Sequence, residues 1–466
     1  MASRQDQLHS YQFMVQRVVA AVVMRETDPA QSPFRRAAGA TMVGVLVAAL
    51  ALAGVAVYGV LVPGDGTGWR EPGSVLVERE SGARYVYLDG RLHPVLNYAS
   101  ALLIAGSAGG PARTVAVSRA TLTGVPRGGP LGIAAAPDSL PGADQLVGLP
   151  WTVCSAQLGG PGAAAESLLF VGTAVGGGQP LAGGTGLLAQ TPDGGLHLIW
   201  HAHRFAIPDP AVVRAAFGWG GQVPVRVAAA LANAVPRGPD LAAPVLPGTA
   251  GAPSRAVRHR RVGSVVVVAT QGGARQYAVV LAGGLAPISQ VQADLLLSDP
   301  AEVAALHQVR AEPMSQGEFS LAPVAPLPGA VAGLPDSTPV LARTSTVETG
   351  VCARVDGERE PSRIAVEVPL PGASGAVRTG GGGVADRILV PPGQGAVVAA
   401  VASAGAPAGT VCLLTDLGVR HPLSTVDVLP LLGYGGVRPV RVPAHLVALL
   451  PAGRVLDPVA ARAPAG

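Results

Sequence analysis

An uncharged run from Ala37 to Val62 constrains this chain more than any other feature of its sequence. As a helix rising about 1.5 Å per residue, the run reaches roughly 39 Å, enough to cross a hydrocarbon core of about 30 Å with some tilt. Val43 to Val60 carries neither charge nor proline. The run starts late and exceeds the roughly 7–15 apolar residues of a secretory signal, so it predicts a retained anchor and not a cleaved leader. Arg4, Arg17, Arg25, Arg35 and Arg36 precede it, while Gly64, Asp65 and Gly66 follow. The positive-inside rule then puts the N-terminal segment in the cytoplasm and the roughly 400 residues beyond on the exported side.

Gly 63 and Pro 43 in 466 residues approach a disordered composition, but hydrophobic residues make up 49 %, which argues for folded structure with many turns. The net charge of +4 comes from arginine alone, because the chain contains no lysine. Apart from Arg258, Arg260 and Arg261 the arginines are scattered without interleaved aromatics, which excludes a nucleic-acid footprint. Three cysteines lie on the exported side, where disulfides form. Cys412 sits in an apolar strand-like segment and reads as a small core residue. Cys154 and Cys352, each after a valine, are the expected disulfide pair.

The exported part repeats itself. Residues 216–241 and 431–456 match at 12 of 26 positions without a gap. Upstream of each lies a cap and stop: Asp209 with Pro210 and Gly218 in one copy, Ser424 and Gly433 in the other. Both copies then offer a short helix ending at Pro236 or Pro451. Strands are expected from Leu187 to Ala189, Gly195 to Trp200, Ala396 to Val401 and Val411 to Thr415. A shorter pair, Tyr85 to Val95 and Ala278 to Ile288, reads in each case as strand, glycine turn, strand.

These signals give an α+β chain: a single transmembrane helix plus an elongated periplasmic body of four small α/β repeat units, in two pairs, around a disulfide-linked central domain. The expected partition is 1–36 cytoplasmic amphipathic segment, 37–62 transmembrane helix, 63–109 linker and first short repeat, and 110–160 first part of the central domain. It continues with 161–254 first long repeat, 255–325 second short repeat, 326–384 second part of the central domain, 385–460 second long repeat and 461–466 tail. The last residues, from Val459, are expected to be disordered. Leu8, Tyr11, Val15, Val18, Val19 and Val22 form the stripe of an amphipathic helix, suited to an inner membrane surface or a cytoplasmic partner.

Catalytic and ligand-binding motifs are sparse in the chain. A P-loop needs a lysine to reach the β- and γ-phosphates, and the chain has none. Gly176 to Gly178 and Gly380 to Gly383 therefore read as flexible turns. His197, His201 and His203 would share one face of a continuous strand, with Asp193 and Asp209 nearby, and are the one metal-ligand candidate. The commoner reading is a solvated strand face or an interface. Gly372-Ala373-Ser374-Gly375-Ala376 lacks the final glycine of a serine-hydrolase elbow. No catalytic, cofactor-binding or metal residue is assigned, and no cofactor is expected.

The opening Ser3-Arg4-Gln5-Asp6-Gln7-Leu8-His9-Ser10-Tyr11-Gln12-Phe13, then Arg17, the late anchor and Leu432-Gly433-Tyr434-Gly435-Gly436 resemble the EccB component of actinobacterial type VII (ESX) secretion systems. Leu198-Ile199-Trp200 with Ile207-Pro208-Asp209, and Leu92-His93-Pro94-Val95-Leu96-Asn97, are similar to its repeat motifs. The resemblance implies a single-pass subunit of the inner (plasma) membrane, N-terminus cytoplasmic, with a periplasmic body of four repeats and a disulfide at the positions of Cys154 and Cys352. It implies a structural core subunit assembling with EccC, EccD and EccE and with further copies of itself in a sixfold complex that exports proteins. EccC is the motor ATPase of that family of machines. An alternative from another class is a membrane-anchored enzyme, either the ATPase that such proteins are sometimes called or a metal-dependent hydrolase at the histidines.

Overall fold

The computed structural model describes residues 3–24, 33–61, 67–107, 109–110, 112–327, 333–358, 361, 363–370, 375–379 and 383–465. Arg25, Gly64 to Gly66, Gly372 to Ser374 and Gly380 to Gly382 lie outside them. The chain divides into two units, one of residues 1–71 with 117–123, the other of residues 72–116 with 124–466.

The first unit holds two long helices, Arg4–Met24 and Pro33–Leu61. Proline at the first position of the second helix suits a turn whose N–H has no partner in any case. Within it, Ala38–Ala56 is the one stretch among the described residues long and apolar enough to cross a membrane.

The second unit contains four small sheets of one strand order. In the first, Ser74–Glu78, Arg84–Leu88 and Arg91–Pro94 form an antiparallel meander, and Arg113–Val117 returns beside the first strand. The second runs Thr185–Gln190, Leu196–Trp200 and His203–Ile207 with Val225–Arg226 returning parallel. The third runs Val265–Ala269, Arg275–Leu281 and Gly284–Ile288 with Glu312–Pro313. The fourth runs Ala396–Val401, Ala408–Leu414 and Arg420–Pro422 with Val440–Pro443. A helix follows each meander: Tyr98–Gly106, Pro210–Phe217, Gln290–Ser298 and the shorter Val428–Leu431. Asp209 caps the second of these through the N–H groups of Ala211 and Val212, and Gly218 ends it in the left-handed region, as the sequence predicts. In the fourth unit Ser424 is not the cap. The helix starts at Val428, and Ser424 instead donates its N–H to the Leu456 carbonyl.

Each small sheet is closed at its third strand by a short segment, here called a clasp. The Leu92 N–H donates to Pro126 O, and the Leu92 carbonyl accepts from the Gly128 N–H. The same two bonds join Arg204 to Pro236 and Gly238, Leu285 to Pro323 and Ala325, and Arg420 to Pro451 and Gly453. Proline fits the first clasp position because only its carbonyl is needed there.

The central sheet has seven strands, in the order Val377–Arg378, Arg387–Leu389, Glu166–Val171, Trp151–Ala156, Thr349–Val355, Arg363–Pro369, Gln179–Pro180. It draws on both halves of the chain, but with edges that differ from the expected partition. Arg113–Val117 belongs to the first small sheet, whereas Glu166–Val171 and Arg387–Leu389 belong to the central one, since their hydrogen-bond partners lie there. Strand alternation separates its faces. Trp151, Val153, Leu169, Val171, Val351 and Ala353 pack with the helices Ala229–Ala234 and Ala444–Val447, which hold equivalent places in the duplicated segments. Cys154, Leu168, Phe170 and Cys352 line the other face.

Buried clusters join the small sheets crosswise. The first shares a core with the fourth, through Val75, Val86 and Leu103 with Val397, Leu413 and Leu429. The second shares one with the third, through Leu198, Phe205 and Val213 with Val291 and Leu295. Residues 457–465 pack onto the body where a tail was expected: Asp457 caps a helix Pro458–Ala461, Ala461 is fully buried, and the Ala465 N–H donates to Pro130 O.

Candidate functional site

The helix Pro33–Leu61 exposes every residue from 38 to 56, including Leu46, Leu50 and Leu52. Burying apolar surface is worth about 25 cal/mol per Å², so a bare helix of this kind belongs in lipid. In Arg4–Met24 the predicted stripe residues Leu8, Tyr11, Val15, Val18 and Val22 are exposed as well, while Val19 is half-buried. Phe13 falls on the opposite side, with the Arg17 guanidinium 5.6 Å from its ring centroid.

The two halves meet at the middle of the central sheet. Cys154 and Cys352 are direct register partners on adjacent antiparallel strands, and their sulfurs are bonded at 2.04 Å. Polar contacts bind a second seam. The Asp386 carboxylate accepts from the Ser167 N–H at 2.8 Å and its hydroxyl at 2.7 Å, while Ser167 Oγ accepts from the Asp386 N–H at 2.9 Å. Beside it Arg387 Nε meets Glu166 Oε2 at 2.7 Å. Both seams link residues far apart in the chain, 198 positions for the disulfide and 219 for Ser167 and Asp386. Cys412 is buried and unbonded, its thiol pushed up by burial, consistent with the expected core role.

The three histidines do not converge. A tight turn at His201 and Ala202, both at positive φ, separates the strands, so there is no continuous face from 197 to 203. The His201 ring stacks on Trp200, with centroids 3.7 Å apart, and its Nε2 lies 2.8 Å from Gly183 O. His203 Nδ1 contacts His201 O at 2.9 Å. His197 sits against Thr191 Oγ1 at 3.3 Å, and burial holds its pKa below the ordinary histidine value. Asp193 is engaged by Thr191 and Gly195, and Asp209 is the helix cap. Among the described residues, no group of three or more histidine, cysteine or carboxylate side chains is placed to hold a metal.

The clasps at Pro126 and Pro323 escape a reading of the sequence alone, and so does the whole Ser167–Asp386 seam. Val125-Pro126-Arg127-Gly128 recurs letter for letter at Val235-Pro236-Arg237-Gly238, a signal shared by the clasps of the first and second small sheets. The seam carries no local pattern, because its partners are set by the fold.

These features define a membrane-anchored protein whose body is made of recurring small sheets about a disulfide-pinned central sheet. A family profile described as "Type VII secretion system ESX-1, transport TM domain B" matches residues 1–465. The chain belongs to this EccB family of type VII secretion components. It is 31 % identical to the "ESX-3 secretion system ATPase EccB3" of Mycolicibacterium smegmatis, over 97 % of this chain and 88 % of that protein. It is similar to a solved "EccB3 dimer from the ESX-3 core complex", with TM-score 0.64 and 30 % identity over 84 % of this chain and 99 % of that one. Its fold also matches a chain in the "intact ESX-5 inner membrane complex", with TM-score 0.67 and 23 % identity over 100 % of this chain and 96 % of that one.

Proposed function

We infer that this chain is a structural core subunit of a type VII secretion complex in the inner membrane, with a body in the periplasm. The observation that carries the reading is the family match along nearly the whole chain, anchor and body together. Arginines before the apolar helix support a cytoplasmic N-terminus, where the exposed stripe of Arg4–Met24 would meet cytoplasmic components. The four small sheets of common strand order, each with its clasp, are four copies of one repeat unit, two of each length. The body associates with further copies of itself, as the related EccB3 dimer supports, and with EccC, EccD and EccE subunits in a sixfold assembly. The orientation is tested by protease added outside spheroplasts, which should digest the body and spare the N-terminal helix; digestion of that helix in intact spheroplasts would reverse the assignment.

A nucleotide reaction has less support. The relatives carry ATPase in their names, but a P-loop depends on lysine and this chain has none. The test is ATP turnover by the purified full chain in detergent. The reading expects any turnover to fall away with further purification; turnover that copurifies and is lost in one point variant would contradict it.

A further inference from the structure

The second clasp departs from the other three. In each clasp a parallel bridge sets one strand residue beside one clasp residue: Leu92 with Arg127, Leu285 with Val324, Arg420 with Ala452, and in the second sheet Arg204 with Arg237. Bridged residues project to the same face, so two arginine side chains leave the sheet on one side where the sibling clasps have at most one charge. Like charges directly across strands are destabilising. The fold does not require this pair, since leucine serves at the strand position in two siblings.

The fourth sheet shows what such an arginine does when it serves the fold. Arg420 Nε donates to Leu450 O at 3.0 Å, inside its own clasp. Arg204 Nε is buried with no acceptor, and Arg204 makes no ion pair, among the described residues. Asp240 holds Arg237 at 2.9 Å, on the surface. Asp193 acts on Arg204 only from a distance and is itself bound by Thr191 Oγ1 at 2.6 Å. Both arginines line a cleft of about 740 Å³, with Asn233, Ser403 and His445 on its walls. Glu358, also on the wall, is taken up by Arg441 and the Gly405 N–H.

We propose that this cleft binds an oxyanion, a carboxylate or phosphate group, held between Arg204 and Arg237 with Asn233 and Ser403 as neutral donors. Guanidinium forks match both groups in pairs of hydrogen bonds. The bound anion relieves the repulsion within the arginine pair, and a local rule broken without a structural need is the mark of a functional position.

The test uses the full chain in detergent, with inorganic phosphate and succinate titrated at constant ionic strength against chloride. The site predicts a saturable rise in the thermal midpoint with at least one of them, and the preferred one tells a phosphate group from a carboxylate. Arg204→Leu, the residue at the same strand position in two sibling sheets, should fold and raise the half-saturating concentration by more than about tenfold. If that variant does not unfold cooperatively, Arg237→Val, the residue of the third clasp, is read the same way. No saturable rise with either anion, or an unchanged response in the variant that folds, would overturn the site.

Discussion

The small sheets and the central sheet are closed over very different distances along the chain. Each small sheet is finished by its own clasp within a few tens of residues, from Leu92 to Pro126 in the first and from Arg420 to Pro451 in the fourth. The central sheet joins strands from both halves through a disulfide that spans 198 positions. Closing a long loop has a larger entropic cost, which grows slowly with length. The small sheets are closed by local hydrogen bonds and packing, whereas the central sheet carries a covalent bond and a polar seam.

The clasps also differ among themselves. The residue after the bridged strand position is His93, Phe205 or His421 in three sheets, and a Cβ added to Gly128, Gly238 or Gly453 would collide with that ring. In the third sheet the ring is replaced by Ala286 and the glycine by Ala325, both buried. A large and a vanishing side chain have been exchanged for two small ones, so the clasp fixes a shared volume and not a residue type.

The largest effect should come from the covalent closure. Cys154→Ser with Cys352→Ser is expected to lose up to about 5 kcal/mol in denaturant unfolding. Hydrogen exchange should then rise along 151–156 and 349–355 while the clasp amides of Gly128, Gly238, Ala325 and Gly453 stay protected. Equal loss at both would erase the contrast between local and long-range closure.

Within the clasps, Gly453→Ala should destabilise by about 1–3 kcal/mol through overpacking against the His421 ring. Ala325→Gly, with no ring to meet, should lose only about 1 kcal/mol from a deleted methyl and added chain entropy. Ala286→His should be tolerated better with Ala325→Gly than alone, by a coupling of roughly 1 kcal/mol in a double-mutant cycle. Additivity would show that the two positions do not share volume.

The smallest effect is on pH. Burial holds the His421 pKa below its ordinary value near 6.5, and the Arg454 carbonyl only partly opposes this. The folded state therefore binds the proton less readily than the unfolded one. The stability His421 contributes is present above about pH 6.5 and is lost as pH falls through its folded pKa. His421→Phe, the ring of the second clasp, should flatten that part of the pH dependence of the unfolding free energy.

Much of this arrangement was legible in the sequence where the signals were local. The Asp209-Pro210 cap, the Gly218 stop and the Asp89-Gly90 turn each rest on residues whose backbone demands are specific, and the structure places all three accordingly. The turn at His201 and Ala202 uses neither glycine nor asparagine at positive φ, so three histidines looked like one strand face. The composition of residues 459–465 reads as a tail, though Asp457-Pro458 repeats the cap of Asp209-Pro210; what holds them is long-range pairing with Pro130. The edges of the central sheet and the Arg204–Arg237 pair were out of reach for the same reason.

The central claim, that this chain is a structural subunit of a secretion complex, is tested most directly by purifying the tagged full chain from membranes and identifying what elutes with it. The expected eluate is an assembly containing several copies of the chain, multi-pass membrane proteins and an FtsK-like ATPase. Recovery of the chain as a lone monomer, under detergents that keep other membrane complexes intact, would contradict it.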